Sequence, residues 1–138
     1  MTTTVGPDGA AGGSLAGLRL LVVEDEAIVA MMVEDILAGL GCAVVGPVAK
    51  LAKALEVVGT EPLDGAVVDV NLGGEPAYPL ADALAAAGVP FLFLTGYGRS
   101  GIDGRYAAVP VLQKPFEPGA LERAVVARLL DWPGPRGG

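Results

Sequence analysis

The chain has 138 residues, 52% of them hydrophobic, and a formal net charge of −7, so it is long enough for one packed domain and short for two. Its nine basic residues are scattered, which argues against the positive patch of a nucleic-acid or anionic-lipid binder. The absence of histidine excludes a Ser-His-Asp triad, a histidine-ligated zinc site and a phosphohistidine within the chain itself.

The chain opens with a polar, glycine-rich stretch over residues 1–17 that we predict to be a flexible tail. A short aliphatic run from Leu18 to Val23 then predicts a strand. Apolar residues recur every four positions after this strand and predict a helix that ends at Gly41. The residues expected on its buried face are Ile28, Met32, Ile36 and Leu40.

The same alternation continues toward the C-terminus. Strands are predicted over residues 42–45, 65–70, 89–95 and 109–113. Three further helices are predicted from apolar positions at Leu51, Leu55 and Val58, at Leu80, Leu84 and Ala87, and at Leu121, Val125 and Leu129. Residues 132–138 are rich in Pro and Gly and are expected to fray. The packed domain is therefore predicted over residues 18–131.

Five nearly all-apolar strands that alternate with helices predict an α/β fold. The expected architecture is a doubly wound, five-stranded parallel sheet of flavodoxin-like strand order 2-1-3-4-5, covered by helices on both faces. The fourth helix is the weak element, because the segment from Gly98 to Tyr106 carries three glycines and no apolar stripe. Each glycine costs a helix roughly 1 kcal/mol relative to alanine. This helix is expected to be short, mobile or partly unwound.

Cysteine content and hydropathy indicate the cellular compartment. The single cysteine, Cys42, lies in an apolar run and is expected to be a buried, unreactive thiol, which fits a reducing cytoplasm. No stretch resembles a signal peptide, and every apolar run of membrane-spanning length is broken by a charge, Gly or Pro. We expect a soluble cytoplasmic protein. No further domain fits in the remaining residues, so we expect the protein to act through contact with other proteins.

Polar side chains stand where four of the predicted strands end, namely Glu24, Asp25, Asp69, Thr95 and, one residue further on, Lys114. The carboxyl ends of parallel strands share one edge of a sheet, so we expect these side chains to converge. Three carboxylates at close range repel one another and require raised pKa values or a cation. Mg²⁺ fits such a site, because it binds through one or two carboxylates and accepts a phosphoryl oxygen as a further ligand.

The predicted cluster contains the groups that phosphoryl transfer to a carboxylate requires. Asp69 ends a central strand and is the best-placed nucleophile, so an acyl phosphate would form on it. Asp25 would hold the metal, with Glu24 acting through water. The backbone carbonyl of Asn71 would supply a further oxygen ligand.

Lys114 and Thr95 are expected to bind the phosphoryl oxygens. The Lys114 ammonium would contact one oxygen, and the Thr95 hydroxyl would donate to another and change rotamer when the phosphoryl group arrives. Pro115 follows Lys114, and the cis form of an X-Pro bond lies only about 0.5–1 kcal/mol above trans. A cis bond would direct the lysine into the pocket.

Four ordered motifs resemble the signature of response-regulator receiver domains: Val23-Glu24-Asp25-Glu26, Val68-Asp69-Val70-Asn71, Leu94-Thr95-Gly96 and Gln113-Lys114-Pro115-Phe116. The resemblance covers roughly residues 18–130. It implies that Asp69 is the phosphoacceptor, that Glu24 and Asp25 are the acid pair, and that the backbone of Gly96 contacts the phosphoryl group. It also implies a sensor histidine kinase or a histidine phosphotransfer protein as phosphoryl donor. A receiver of this kind catalyses only its own phosphorylation and dephosphorylation. It would be a monomer or form a dimer when phosphorylated.

Residues 90–98 are similar to the FATGUY subgroup of single-domain receivers, which is associated with HWE-type or related histidine kinases. Leu94 departs from the alanine usual in that subgroup. Val111 stands where many receivers carry Tyr or Phe, so the ring of the usual two-residue switch is missing. Our hypothesis is that phosphorylation is instead read out by ordering of the segment from Gly96 to Tyr106.

Other interpretations remain for the same residues. Taken singly, Asp25 would be a turn or cap residue and Lys114 a solvated charge. A phosphatase or mutase that forms an aspartyl phosphate would carry a second Asp two residues after Asp69 as its acid/base, where this chain has Asn71. A phosphorylation-independent adaptor would need none of the site residues, although all of them are present.

Overall fold

The computed structural model describes residues 15–97 and 102–130. Its strands are β1 (Arg19–Val23), β2 (Ala43–Val48), β3 (Gly65–Asp69), β4 (Asn71–Leu72), β5 (Glu75–Pro76), β6 (Phe91–Thr95) and β7 (Val111–Gln113). Its longer helices are α1 (Ala27–Gly39), α2 (Leu51–Thr60), α3 (Tyr78–Ala86) and α4 (Pro118–Leu130). Among the described residues, none of the helices combines the length and the apolar character needed to cross a bilayer.

Five of the strands form one parallel sheet in the order β2-β1-β3-β6-β7. Strands β4 and β5 form a separate two-stranded antiparallel hairpin directly after β3. Since the hairpin adds two strands to the count, the sheet has the predicted order 2-1-3-4-5. The predicted flavodoxin-like α/β fold is confirmed.

Both faces of the sheet are buried, which explains why its strands are apolar at nearly every position. Leu21 and Val23 of β1 belong to a core cluster that includes residues of α2 and α3. Leu20 and Val22 belong to a second cluster that includes residues of α1 and α4. Because successive side chains of a strand point to opposite faces, a strand covered on both sides requires this pattern.

The buried face of α1 differs from the predicted one. Its fully buried residues are Ala30, Val33 and Leu37. Of the predicted residues, Ile28 is 83% exposed, and Met32, Ile36 and Leu40 are half-buried. A helix has 3.6 residues per turn, so each step of four residues overshoots a full turn by about 40°. A strict four-residue repeat therefore drifts around the helix, and the face that packs follows steps of three and four residues.

The N-terminal boundary of the packed region also differs from the prediction. Leu15 is fully buried in the same cluster as Leu37 and Cys42, and the backbone N–H of Gly17 donates to the carbonyl of Gly41 at 2.9 Å. The packed region therefore includes Leu15, three residues before the predicted start at residue 18. Cys42 is a buried free thiol, as expected. Residues 1–14 and the predicted tail over residues 132–138 lie outside the described part of the chain.

The predicted fourth helix is a single 3₁₀ turn, Gly104–Tyr106, in its described part. The side chain of Asp103 accepts a hydrogen bond from the backbone N–H of Arg105 at 3.0 Å and caps this turn. Tyr106 is buried in the core cluster beside β6. The element is therefore short, as the glycines of this segment predicted. Residues 98–101 lie outside the described residues.

Candidate functional site

Parallel pairing brings the carboxyl ends of four strands to one edge of the sheet. Asp69 at the end of β3 pairs in register with Leu94, and Thr95 at the end of β6 pairs with Gln113. An open cleft of about 820 Å³ lies at this edge. Its walls include six of the predicted site residues, Asp25, Asp69, Asn71, Thr95, Gly96 and Lys114.

Glu24, Asp25 and Asp69 form a compact group of carboxylates. Each offers one oxygen, and these oxygens all lie within 4.8 Å of one another. Glu24 and Asp69 are buried, whereas Asp25 is exposed. An all-oxygen donor set with one side open to water is the type of site that Mg²⁺ occupies, because this ion keeps several of its waters. The residues present therefore fit the predicted cation.

Lys114 lies across the cleft and contacts three carboxylates. Its Nζ is 3.0 Å from Asp69 Oδ2, 3.2 Å from Glu24 Oε1 and 2.6 Å from Glu26 Oε1. Burial alone would lower the pKa of this ammonium, but its hydrogen bonds with Glu26 and Asp69 and the charges of Asp69 and Glu24 raise it above its usual range. The Lys114–Pro115 peptide bond is cis, the form that the sequence made accessible.

The side chain of Glu24 lies beneath the cleft, fully buried. Burial raises the pKa of Glu24 to about 7, and hydrogen bonding and charge from Asp69 act in the same direction. A hydrogen bond from the backbone N–H of Glu26 and the charge of Lys114 oppose this rise. Without a bound cation, the Glu24 carboxyl group therefore titrates near neutral pH.

Backbone and hydroxyl groups complete the cleft. The backbone N–H of Asn71 donates to Asp69 Oδ1 at 3.1 Å and orients the carboxylate. The buried Thr95 hydroxyl accepts a hydrogen bond from the backbone N–H of Tyr97 at 3.0 Å. A hydroxyl has one donor position besides its two acceptor positions, so this contact leaves its proton available to a phosphoryl oxygen. Gly96 lies between Thr95 and Tyr97 on the cleft wall.

Sequence reasoning missed two features of this site. Glu26 was read only as part of a motif, yet it makes the shortest contact of Lys114. Tyr78 lines the cleft and stacks on Tyr106, with ring centroids 5.4 Å apart. Val111 of β7 is half-buried against the core cluster that contains Tyr106. The aromatic ring that packs beside Phe93 of β6 is therefore that of Tyr106 in the 3₁₀ turn, and β7 contributes none at Val111. The pairing of aromatic residues 28 positions apart has no local sequence signal.

Matches with known proteins extend over most of the chain. Residues 20–126 match the family model of the response regulator receiver domain. The phyllosphere-induced regulator PhyR of Methylorubrum extorquens is 29% identical over 116 residues, which are 81% of this chain and 43% of PhyR. The chain therefore spans less than half the length of this curated relative.

Two solved structures are similar over nearly their whole length. The solution structure of SdrG from Sphingomonas melonis Fr1 is 45% identical, has a TM-score of 0.74, and is matched over 83% of this chain and 97% of SdrG. The receiver domain of the sensor histidine kinase PA1611 from Pseudomonas aeruginosa PAO1 is 25% identical, with a TM-score of 0.70 over 84% of this chain and 99% of that domain. That crystal structure holds a magnesium ion in its active-site cleft.

Proposed function

We infer that this chain, which belongs to the response regulator receiver domain family, accepts a phosphoryl group on Asp69 with Mg²⁺ and signals through protein contact. One observation carries the proposal. The buried Asp69 carboxylate contacts the Lys114 ammonium at 3.0 Å and lies within 4.8 Å of oxygens of Glu24 and Asp25. This arrangement supports the proposal, because in-line phosphoryl transfer requires a nucleophile, a cation and a positive charge in one cleft, and these residues could supply or hold them.

In the proposed reaction, an Asp69 oxygen attacks the phosphorus of the donor. The O–P bond of an acyl phosphate forms as the bond from phosphorus to the donor's leaving group breaks, and the leaving group takes the electron pair. Lys114 and the Thr95 hydroxyl bind phosphoryl oxygens as charge shifts onto them. Asp25 and Asp69, Glu24 through water, and the Asn71 carbonyl would hold Mg²⁺. When bound, the ion would neutralise part of the phosphoryl charge.

The proposed donor is a sensor histidine kinase, of HWE type or related, or a histidine phosphotransfer protein. The chain has no histidine, so a phosphohistidine must come from another protein. The free thiol of Cys42 fits a reducing compartment, and we place the protein in the cytoplasm with such donors. Its output partner would be a protein that distinguishes the phosphorylated from the unphosphorylated form.

The alternative of a phosphatase or mutase is less favoured by the contacts of Asn71. Its side-chain oxygen accepts a hydrogen bond from the backbone N–H of Gly74 at 2.6 Å, and its backbone N–H donates to Asp69. An amide in these contacts has no titratable proton for the leaving group of a phosphate ester. The site is therefore suited to accepting one phosphoryl group rather than to turnover of small esters.

The test is intact-protein mass spectrometry after incubation with acetyl phosphate. With Mg²⁺ we expect one phosphoryl adduct per chain, and with EDTA in place of Mg²⁺ we expect none. Repeated release of phosphate from added esters would favour the phosphatase, whereas no adduct under either condition would favour the adaptor. Phosphopeptide mapping of the wild-type adduct should place it on the peptide that contains Asp69.

Replacing Asp25 with alanine should weaken Mg²⁺ binding by about tenfold or more, because one of the carboxylates that hold the ion is lost. The fold should stay intact or become slightly more stable, since repulsion within the carboxylate group falls. Isothermal titration calorimetry measures the first effect and a thermal melt measures the second. Asp35→Asn is the matched control, because Asp35 is an exposed carboxylate on the outer side of α1. Collapse of the Asp25→Ala fold would contradict the assignment.

We propose that phosphorylation is read out by ordering of the segment from Gly96 to Tyr106, because Tyr106 at its end stacks on Tyr78, which lines the cleft. Amide hydrogen exchange should show added protection in this segment when beryllium fluoride and Mg²⁺ mimic the phosphoryl group. Helix α2, remote from the cleft, serves as the internal reference. Unchanged exchange in the segment, together with bound beryllium fluoride, would rule this readout out.

A further inference from the structure

Glu26 makes a contact for which the proposed reaction has no use. It is the residue before α1, and its carboxylate Oε1 lies 2.6 Å from Lys114 Nζ, closer than either Asp69 or Glu24. The Glu26 side chain is 61% exposed, whereas the Lys114 side chain is only 13% exposed. A solvent-facing carboxylate therefore reaches into the cleft to the ammonium that phosphoryl transfer requires.

The contacts of Lys114 use its whole hydrogen-bonding capacity. An ammonium has three N–H donors, and Lys114 is in contact with three carboxylates, those of Glu24, Glu26 and Asp69. A phosphoryl oxygen on Asp69 needs one of these donors, because charge-assisted hydrogen bonds are what stabilise the transferred group. The ammonium must therefore turn from the carboxylates that hold it toward the phosphoryl oxygen.

Burial decides which contact can be given up to water. The Glu24 side chain is 0% exposed, so without the ammonium it would be either a buried carboxylate without a countercharge or a carboxyl group that has taken up a proton. The carboxylate charge of Asp69 is lost when the acyl phosphate forms, so the Lys114 N–H that it accepts can turn to a phosphoryl oxygen. Glu26 can return to water, where its charge is solvated at little cost.

We propose that Glu26 is a positioning residue that holds Lys114 in the unphosphorylated protein and releases the ammonium to the incoming phosphoryl oxygen. This inference rests on the proposed function of Asp69. It makes Glu26 a competitor of the phosphoryl group, so the Glu26 contact slows phosphorylation and weakens binding of a phosphoryl mimic. Glu26, the residue that follows the acid pair, thus sets how readily Asp69 is phosphorylated.

The test uses two substitutions that separate contact from charge. Glu26→Gln keeps the length of the side chain and removes its charge. Glu26→Asp keeps the charge and withdraws the carboxylate by one methylene group, which breaks the 2.6 Å contact. Asp35→Asn on the same helix is the control, since it removes one exposed negative charge away from Lys114.

The readouts are the initial rate of adduct formation with limiting acetyl phosphate and Mg²⁺, and the affinity for beryllium fluoride in the presence of Mg²⁺. Both Glu26 variants should be about two- to fivefold faster than wild type and should bind beryllium fluoride more tightly by a similar factor, which is the effect of losing a partly exposed ion pair. Asp35→Asn should match wild type in both measurements.

Three results would overturn the inference. Acceleration by Glu26→Gln with wild-type behaviour of Glu26→Asp would mean that Glu26 acts only by repelling anions. Equal acceleration by Asp35→Asn would point to net charge, and slower reaction of both Glu26 variants would mean that the contact prepares Lys114 for reaction. Failure of the proposed function can be distinguished from these three results, because wild-type protein would then take up no phosphoryl group.

Discussion

Replacing Asp69 with asparagine is expected to abolish the phosphoryl adduct, lowering the rate of its formation by at least about a hundredfold, because an amide is a far weaker nucleophile than a carboxylate. The substitution is nearly isosteric, and the amide oxygen can still accept the hydrogen bond from the backbone N–H of Asn71. The fold and the shape of the cleft should therefore remain. Intact-protein mass spectrometry with acetyl phosphate and Mg²⁺ measures the adduct, and circular dichroism checks the fold.

Asp35→Asn is the matched control, because it makes the same chemical change at an exposed position of α1 and should leave adduct formation at the wild-type rate. A persistent adduct in Asp69→Asn would transfer the acceptor role to Glu24 or Asp25, the other two carboxylates of the cluster. The distinction matters, because Asp69 both lines the open cleft and contacts Lys114, as an acceptor requires, whereas the exposed Asp25 is suited to holding a hydrated cation.

The strand order and the convergence at the sheet edge were predictable from sequence. Apolar runs such as the one from Leu18 to Val23 mark strands buried on both faces, and parallel topology then places the residues that follow them on one edge. Asp69 and Lys114 are 45 positions apart, yet their side chains meet at 3.0 Å because their strands end at that edge. The location of the site is thus a consequence of topology, which local patterns are sufficient to predict.

Details that depend on three-dimensional packing were not predictable from sequence. Ile28 was assigned to the core by a four-residue repeat that drifts around the helix, whereas α1 packs through the face of Ala30, Val33 and Leu37. The contact of Glu26 with Lys114 spans 88 positions and depends on where a flexible side chain points. Burial of Tyr106 beside Phe93 likewise arises only after the chain has folded.

The buried Glu24 makes stability depend on pH in the metal-free protein. Its pKa is raised from 4.5 to about 7 in the folded state, so between these pH values the folded chain binds more protons at this position than the unfolded chain. The free energy of unfolding must therefore fall as pH rises through this window, by about 1.4 kcal/mol per unit of pKa difference and about 3 kcal/mol in total. Lys114, whose pKa is raised above its usual range, stays protonated in both states throughout the window and adds no slope.

Urea unfolding in EDTA between pH 4.5 and pH 8 should show this loss of unfolding free energy in wild type. The comparison protein is Glu24→Gln, whose side chain at this position cannot ionise. Titrating groups that do not contact Glu24 act alike in both proteins, so the difference in stability between them reports Glu24 and its partners in the cleft and should shift toward the glutamine variant as pH rises. Glu122→Gln, at an exposed position of α4, should keep a constant difference from wild type. A constant difference for Glu24→Gln as well would mean that Lys114 already balances the buried carboxylate. Mg²⁺ added at pH 8 should restore part of the lost stability, because a cation bound to the three carboxylates supplies the charge that a proton supplies at lower pH.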